Sequence, residues 1–262
     1  MKLFWNLIRT DLRRAFSGRL WLLALGVTAL FLLNLSHYYF TGGESFYYRV
    51  MISGLDIFLD VMLIFSTAAY GVSFCEDWDN RNIRNLFIRV GAKKYALSKV
   101  AVCVISSFTV LFLGKLLLMF SQLAVSPKIF DANAFDGMDS PAGSIDALAY
   151  TGNLGEWILV NLIRFSLEGT VFSVLALAVS TVLTNKFVVL VVPLIGRLLY
   201  GCIEKGVLLF PKSLTLSELF ETPYSSVSVL QGILYPLLFS AGSCLLFGWL
   251  FYYGVKRRLE NG

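Results

Sequence analysis

Charge is scarce in this chain. Only 15% of its 262 residues are Asp, Glu, Lys or Arg, where a soluble domain carries roughly a quarter. With 57% hydrophobic residues and a mean hydropathy of +0.72, the sequence reads as an integral membrane protein with little soluble mass in any one loop. Histidine is almost missing, His37 being the only one. That excludes an HExxH zinc site, which needs two histidines on one helix face. No GxSxG elbow occurs, and His37 has no evident nucleophile to serve; near the outer end of the first apolar run, it reads as an interfacial polar residue. Asp56 and Asp60 share one helix, whereas an intramembrane aspartyl protease needs facing aspartates from two. Cysteine is sparse as well. Cys75, Cys103, Cys202 and Cys244 form no CxxC and no Cys/His cluster, so they read as packing thiols rather than disulfides or metal ligands.

A phosphate-binding loop is also lacking. The nearest run, Gly206-Val-Leu-Leu-Phe-Pro211-Lys212-Ser213, has proline where a second glycine must let backbone amides wrap phosphate. If the protein uses ATP, another chain binds it. The net charge of +5 is no nucleic-acid signal, because the basic residues flank apolar runs.

What is present is a series of those runs, each near the roughly 20 residues that a bilayer crossing needs. They fall at about Leu20–Phe40, Leu55–Phe74, Val100–Val125, Leu154–Leu183, Phe187–Ile203 and Val229–Val255. Before them, residues 1–18 read as an interfacial helix. Phe4, Leu7, Ile8, Leu12, Ala15 and Phe16 make its apolar side, and Lys2, Arg9, Arg13 and Arg14 its basic side. No cleavable signal peptide is evident, and the first apolar run is long enough to remain as an anchor. The expectation is an all-α polytopic protein with six transmembrane helices, an N-terminal interfacial helix and a cytoplasmic coupling helix, forming a single transmembrane domain.

Basic residues orient it. With the N-terminus inside, Lys2, Arg9, Arg13, Arg14 and Arg19 join Arg81, Arg84, Arg89, Lys93, Lys94, Lys99, Lys186, Lys256, Arg257 and Arg258 on one side. Only Arg49, Lys128, Lys205 and Lys212 fall outside. Both termini are therefore expected in the cytoplasm. Of the outer loops, 126–153 is rich in Gly, Ser, Ala and Asp and reads as mobile. Segment 204–228 carries short apolar patches and reads as a small helical cap.

The longest polar interval on the basic side is Gly71–Lys99, with a cytoplasmic loop at 75–99. Within it, Trp78, Ile83, Leu86, Phe87 and Val90 fall near one face at helical spacing, while Arg81, Arg84, Asn85 and Ile88 point elsewhere. Asp77 and Asp79 crowd the start and Arg89, Lys93 and Lys94 the end, an order that suits the helix dipole. Gly91 is placed to end such a helix as a left-handed cap. A loop needs no built helix merely to turn round, so the interval reads as a docking element for a cytoplasmic partner.

This interval resembles the membrane subunits of type-2 ATP-binding-cassette exporters. The shared features are Glu76 at the end of the second span, a polar and basic helix over Asp79–Arg89, the small-residue break and basic run Gly91–Lys94, and Lys99 opening the third span. The basic N-terminal helix, the six spans, the very short Thr184–Lys186 loop and the outer segment before the last span extend the resemblance over nearly the whole chain. It implies two permease chains, identical or related, with two separate cytoplasmic ATPase subunits docked beneath. ATP and magnesium would sit on those partners, and this chain would itself be no enzyme. It also implies docking through Glu76, Asp77, Trp78, Asp79, Arg81, Ile83, Arg84, Leu86, Phe87 and Arg89, in a bacterial cytoplasmic membrane. Drugs, lipids, glycans, sodium and antimicrobial peptides are cargoes of the family; the abundant Phe and Tyr here suit an amphipathic peptide, lipid or lipophilic drug.

Ionisable residues inside spans are costly and mark functional candidates. Here they are Asp56, Asp60, Lys115, Arg164, Glu168 and Arg197. Arg164 and Glu168, four apart, can pair on one helix face. The set reads either as the lining of a substrate path or as ion pairs that hold helices together. An ion-coupled secondary transporter using Asp60, Lys115, Arg164, Glu168 and Arg197 is therefore an alternative; Pro193 and Gly196 supply the only hint of a broken span. A membrane immunity or sensor subunit that moves nothing is another.

Overall fold

The computed structural model describes residues 2–39, 45–46, 49–50, 56–80, 83, 89–126, 128–129, 145, 148, 153–206, 211, 214–221 and 228–261. Its elements are all helical: α1 (Lys2–Ser17), α2 (Arg19–Tyr39), α3 (Asp56–Ala68), α4 (Ser73–Asp79), α5 (Ala92–Val125), α6 (Leu154–Ser180), α7 (Lys186–Gly206), a π-helical turn (Ser217–Glu221) and α8 (Val229–Asn261).

Among the described residues, four helices are long and apolar enough to cross a membrane, namely α5, α6, α7 and α8. A fifth candidate arises if α1 and α2, bent by 51° at Gly18, count as one span. The described residues thus supply four to five candidates for the six expected spans. α2 covers the first expected apolar run, but the second, Leu55–Phe74, is not one helix. α3 ends at Ala68. The chain then turns at Ala69–Val72, where the Gly71 N–H donates to the Thr67 carbonyl at 2.7 Å. A Cβ at Gly71 would lie 2.6 Å from Thr67 Cγ2 and 2.9 Å from the Thr67 carbonyl oxygen, so this turn admits glycine and little else.

Within the polar interval, the described residues before Gly91 include one short helix. It is α4, which ends at Asp79, where the Asn80 N–H caps it on the Glu76 and Trp78 carbonyls. The expected helix from Asp79 to Arg89 falls mostly on positions outside the described residues, Arg81, Arg84, Leu86 and Phe87 among them. Gly91 does take a positive φ of 81°, but its ψ of 150° is not a helix-ending left-handed cap; it begins α5 instead. α5 therefore starts eight residues earlier than the apolar run at Val100, carrying Tyr95, Ser98 and Lys99 on its first turns.

α6 is the central helix. Its spanning window is 83% buried within the chain, whereas that of α8 is 11% buried. α6 packs most extensively on α5 and α8, and α2 lies against α5. Close crossings rest on small residues, as in other helix pairs without a hydrophobic driving force: a Cβ at Gly114 of α5 would meet Thr28 Cγ2 of α2 at 2.7 Å. α7 and α8 turn apolar side chains outward, including Phe187, Leu199, Leu230 and Trp249. Beyond α7, Leu216, Leu219 and Phe220 of the cap segment are buried against Phe165 and Phe172 of α6. Of segment 126–153, most positions lie outside the described residues.

Candidate functional site

One end of the bundle gathers α1, the α3–α4 turn, α4, the start of α5, the end of α6, the start of α7 and the end of α8. An apolar cluster forms its floor, with Ala15, Tyr70, Phe74, Ile83, Tyr95, Phe251 and Val255 buried together. Set into this floor is a polar network that the sequence did not announce. Lys99 is 1% exposed, and Asp11 and Asp77 are each 3% exposed. Lys99 Nζ lies 2.8 Å from Asp77 Oδ2 and 3.2 Å from Asp11 Oδ1, and it donates to the Tyr70 hydroxyl at 2.9 Å. An ammonium has three protons, and each has an acceptor.

The carboxylates are equally well served. Asp77 also accepts from Tyr95 Oη at 2.9 Å and from the Arg14 guanidinium at 2.9 Å. Asp11 accepts from Ser98 Oγ at 2.8 Å and from the Tyr70 hydroxyl. Two carboxylates thus face two cations, which is what makes burial tolerable. Burial alone would raise the Asp77 carboxyl, but Lys99 and then Arg14 outweigh it and hold it below its ordinary value. Burial, and next the Asp11 carboxylate, push the Tyr70 hydroxyl far upward, so it remains a proton donor.

α4 has further attachments. Asp79 pairs with Lys186 at the start of α7, 3.3 Å away and exposed on both sides. Trp78 stacks on Phe74, and the Arg258 guanidinium of α8 lies 4.8 Å from the Trp78 ring centroid. Arg258 also donates to the Val182 carbonyl at the end of α6, at 2.7 Å. A seven-residue helix is thereby fastened to α1 and α5 by buried charge, to α7 by an exposed ion pair and to α8 by an aromatic–cation contact.

This geometry corrects part of the expected docking face. Asp77 is turned inward and committed to Lys99, Arg14 and Tyr95, so it presents no charge to a partner. Ile83 is 4% exposed, within the apolar floor. Glu76 remains part-exposed beside Arg14 at 3.8 Å. Asp79 and Arg89 are exposed. Arg81, Arg84, Leu86 and Phe87 lie outside the described residues.

No known protein family, curated protein or solved structure matches the chain.

The buried charges form a second layer deeper in the bundle. Lys115 is sixteen residues beyond Lys99 on α5, about 24 Å along the helix. Arg197 of α7 bridges two carboxylates, with NH1 2.6 Å from Asp60 Oδ1 of α3 and Nε 2.9 Å from Glu168 Oε1 of α6. Arg164 donates from Nε to the Leu219 carbonyl at 3.0 Å and from NH2 to the Glu218 carbonyl, fastening the π-helical turn to α6. Lys115 Nζ sits 4.2 Å from the centroid of the Phe165 ring. The side chain of Asp56 is outside the described residues. The layer thus joins α3, α6 and α7 to one another and α6 to the cap.

Asp11, Tyr70, Tyr95 and Ser98 are the members that reading the sequence missed. One signal was available for Asp11. It lies on the same helical face as Phe4, Ile8 and Ala15, an acid on the apolar side of an amphipathic helix, and such a residue needs a buried cation. Among the described residues, no group of three or more His, Cys, Asp or Glu side chains is placed to hold a metal ion.

Proposed function

We propose that this chain is the permease subunit of an ATP-driven exporter, coupled to a separate cytoplasmic ATPase and carrying an amphipathic peptide, lipid or lipophilic drug. The observation that carries the reading is the attachment of α4 to four other helices. A partner that pushes on a loop moves a transport path only if the loop is rigidly joined to the spans. Here the joint is built: Asp77 engages Lys99 of α5 and Arg14 of α1, Asp79 engages Lys186 of α7, and Trp78 meets Arg258 of α8. A displacement of α4 is delivered to all of them at once.

In this proposal the docking surface includes Glu76, Asp79 and Arg89, which remain outward there; Arg81 and Arg84 are assigned to it from the sequence alone. In this reading the end that holds α4 faces the cytoplasm of a bacterial cell, both termini lie on that side, and a second permease chain, identical or related, covers an outward apolar face. Cross-linking tests it. Single cysteines at Asp79→Cys and Arg89→Cys should cross-link in native membranes to a chain that hydrolyses ATP, while Leu230→Cys at the opposite end should not. Equal labelling at all three positions, or no ATPase chain at any, contradicts the proposal.

One observation favours a second reading. The buried Asp60–Arg197–Glu168 bridge is the arrangement an ion-coupled transporter would open and close during its cycle. That reading requires transport driven by an ion gradient in the absence of any ATPase subunit.

A further inference from the structure

Between the ends of α6 and α8, capped by Trp78 of α4, lies a groove of about 630 Å³, within the roughly 300–1,000 Å³ of small-molecule sites. It is lined mostly by apolar side chains, Leu175, Val179, Val182 and Leu250 among them, with Thr181, Tyr253, Arg257 and Arg258 as its polar members. Gly254 of α8 also lines it, and a Cβ there would come within 2.2 Å of Thr181 Oγ1 and 2.8 Å of Thr181 Cβ. The two helix ends therefore meet closely at this point. One end of the groove reaches Arg257 and Arg258. Arg258 is occupied by Trp78 and the Val182 carbonyl, whereas Arg257 is exposed. Lys256, next to them, is matched by Glu260 at 3.7 Å, which leaves the rim with positive charge in excess. On α8, Leu246 and Trp249 also turn outward, within one or two turns of Leu250.

We propose that this groove binds one anionic phospholipid, its acyl chain along Val179, Val182 and Leu250 and its phosphate at Arg257. The occupant must be apolar over most of its length and negative at one end, and it must be able to enter sideways from a hydrocarbon layer. A membrane lipid with an anionic headgroup meets all three demands. Basic pockets between membrane helices take such headgroups. Seated there, the lipid would wedge between α4 and the α6–α8 crossing, beside the Trp78–Arg258 contact. The site stands independently of any ATPase partner.

Native mass spectrometry of the purified full chain in mild detergent tests this, using dioleoyl phosphatidylglycerol and dioleoyl phosphatidylcholine as probes. The wild type should retain the phosphatidylglycerol preferentially. Arg257→Ala should weaken that retention roughly fivefold, the effect of one basic residue near anionic lipid, whereas Lys93→Ala, exposed at the same end but away from the groove, should leave it unchanged. Val182→Trp, a change at an exposed wall residue, should also displace the lipid with Arg257 intact. Equal retention of the two lipids, or equal losses in Arg257→Ala and Lys93→Ala, would overturn the proposal. So would a Val182→Trp protein that keeps its lipid but loses a second copy of the chain, since the groove would then be a contact between copies.

Discussion

Lys99 Nζ and Asp77 Oδ2 lie 2.8 Å apart across the junction of α4 and α5, both almost fully buried. Buried ion pairs add little net stability compared with well-packed apolar residues, but breaking one by removing a single partner is severe. The pair is thus better understood as a fastener than as a source of stability, and its consequences are measurable.

Lys99→Met should destabilise the protein by about 3–5 kcal/mol, because Asp11 and Asp77 are left as buried carboxylates with only Arg14 between them. The double variant Lys99→Met with Asp77→Asn should recover a large part of the loss. Thermal unfolding in detergent measures both; a single variant as stable as the wild type would show that the network does not fasten the helices.

Asp77 also fixes a pH dependence. Its folded carboxyl titrates below the ordinary value of 3.8, so the unfolded chain binds more protons than the folded one in that window. The stability it contributes is complete above the ordinary value and is lost as pH falls from about there through the lower folded value. Acid unfolding of Asp77→Asn should be flatter over that range than that of the wild type.

Which of these features could be read from the sequence follows from distance along the chain. The apolar runs at α5, α6, α7 and α8 were legible because length and hydropathy are local properties. Lys99 was legible as a basic residue at a span's start, but its partner Asp11 is 88 positions away, and only tertiary packing brings them together. The break after Ala68 was hidden because residues on both sides of the turn are apolar, and hydropathy does not register a Gly71–Thr67 contact. Asp77 was misplaced for a related reason. Its charge and loop position say surface, and only the buried surroundings of Lys99 and Tyr95 say otherwise.

Gly254→Val should open the α6–α8 crossing. Its side chain has no room beside Thr181, and overpacking of this kind costs about 1–3 kcal/mol. The unfolding temperature should fall, and Gly254→Ala should fall between the variant and the wild type. Unchanged stability in both would place the two helices farther apart than described.

Arg197→Met removes the cation from between Asp60 and Glu168 and should cost about 3–5 kcal/mol. Adding Glu168→Gln should restore much of that stability. If the bridge only holds helices, the double variant should also transport normally once folded. A stable double variant that has lost gradient-driven transport would instead favour the ion-coupled reading.

The exposed Asp79–Lys186 pair offers a sharper separation of stability from function. Pairs of this exposure contribute about 0–1 kcal/mol and are weakened by salt, so Asp79→Arg with Arg89→Glu should unfold close to the wild-type temperature while reversing two charges on the docking surface.

The most direct test is therefore purification of the tagged chain from native membranes in mild detergent, with an ATPase assay on the wild type and on the Asp79→Arg/Arg89→Glu variant. A second polypeptide that hydrolyses ATP should accompany the wild type in fixed ratio and be absent from the equally stable variant. A wild-type preparation without any ATP-hydrolysing chain, or a variant that keeps its partner undiminished, would contradict the coupling role of α4.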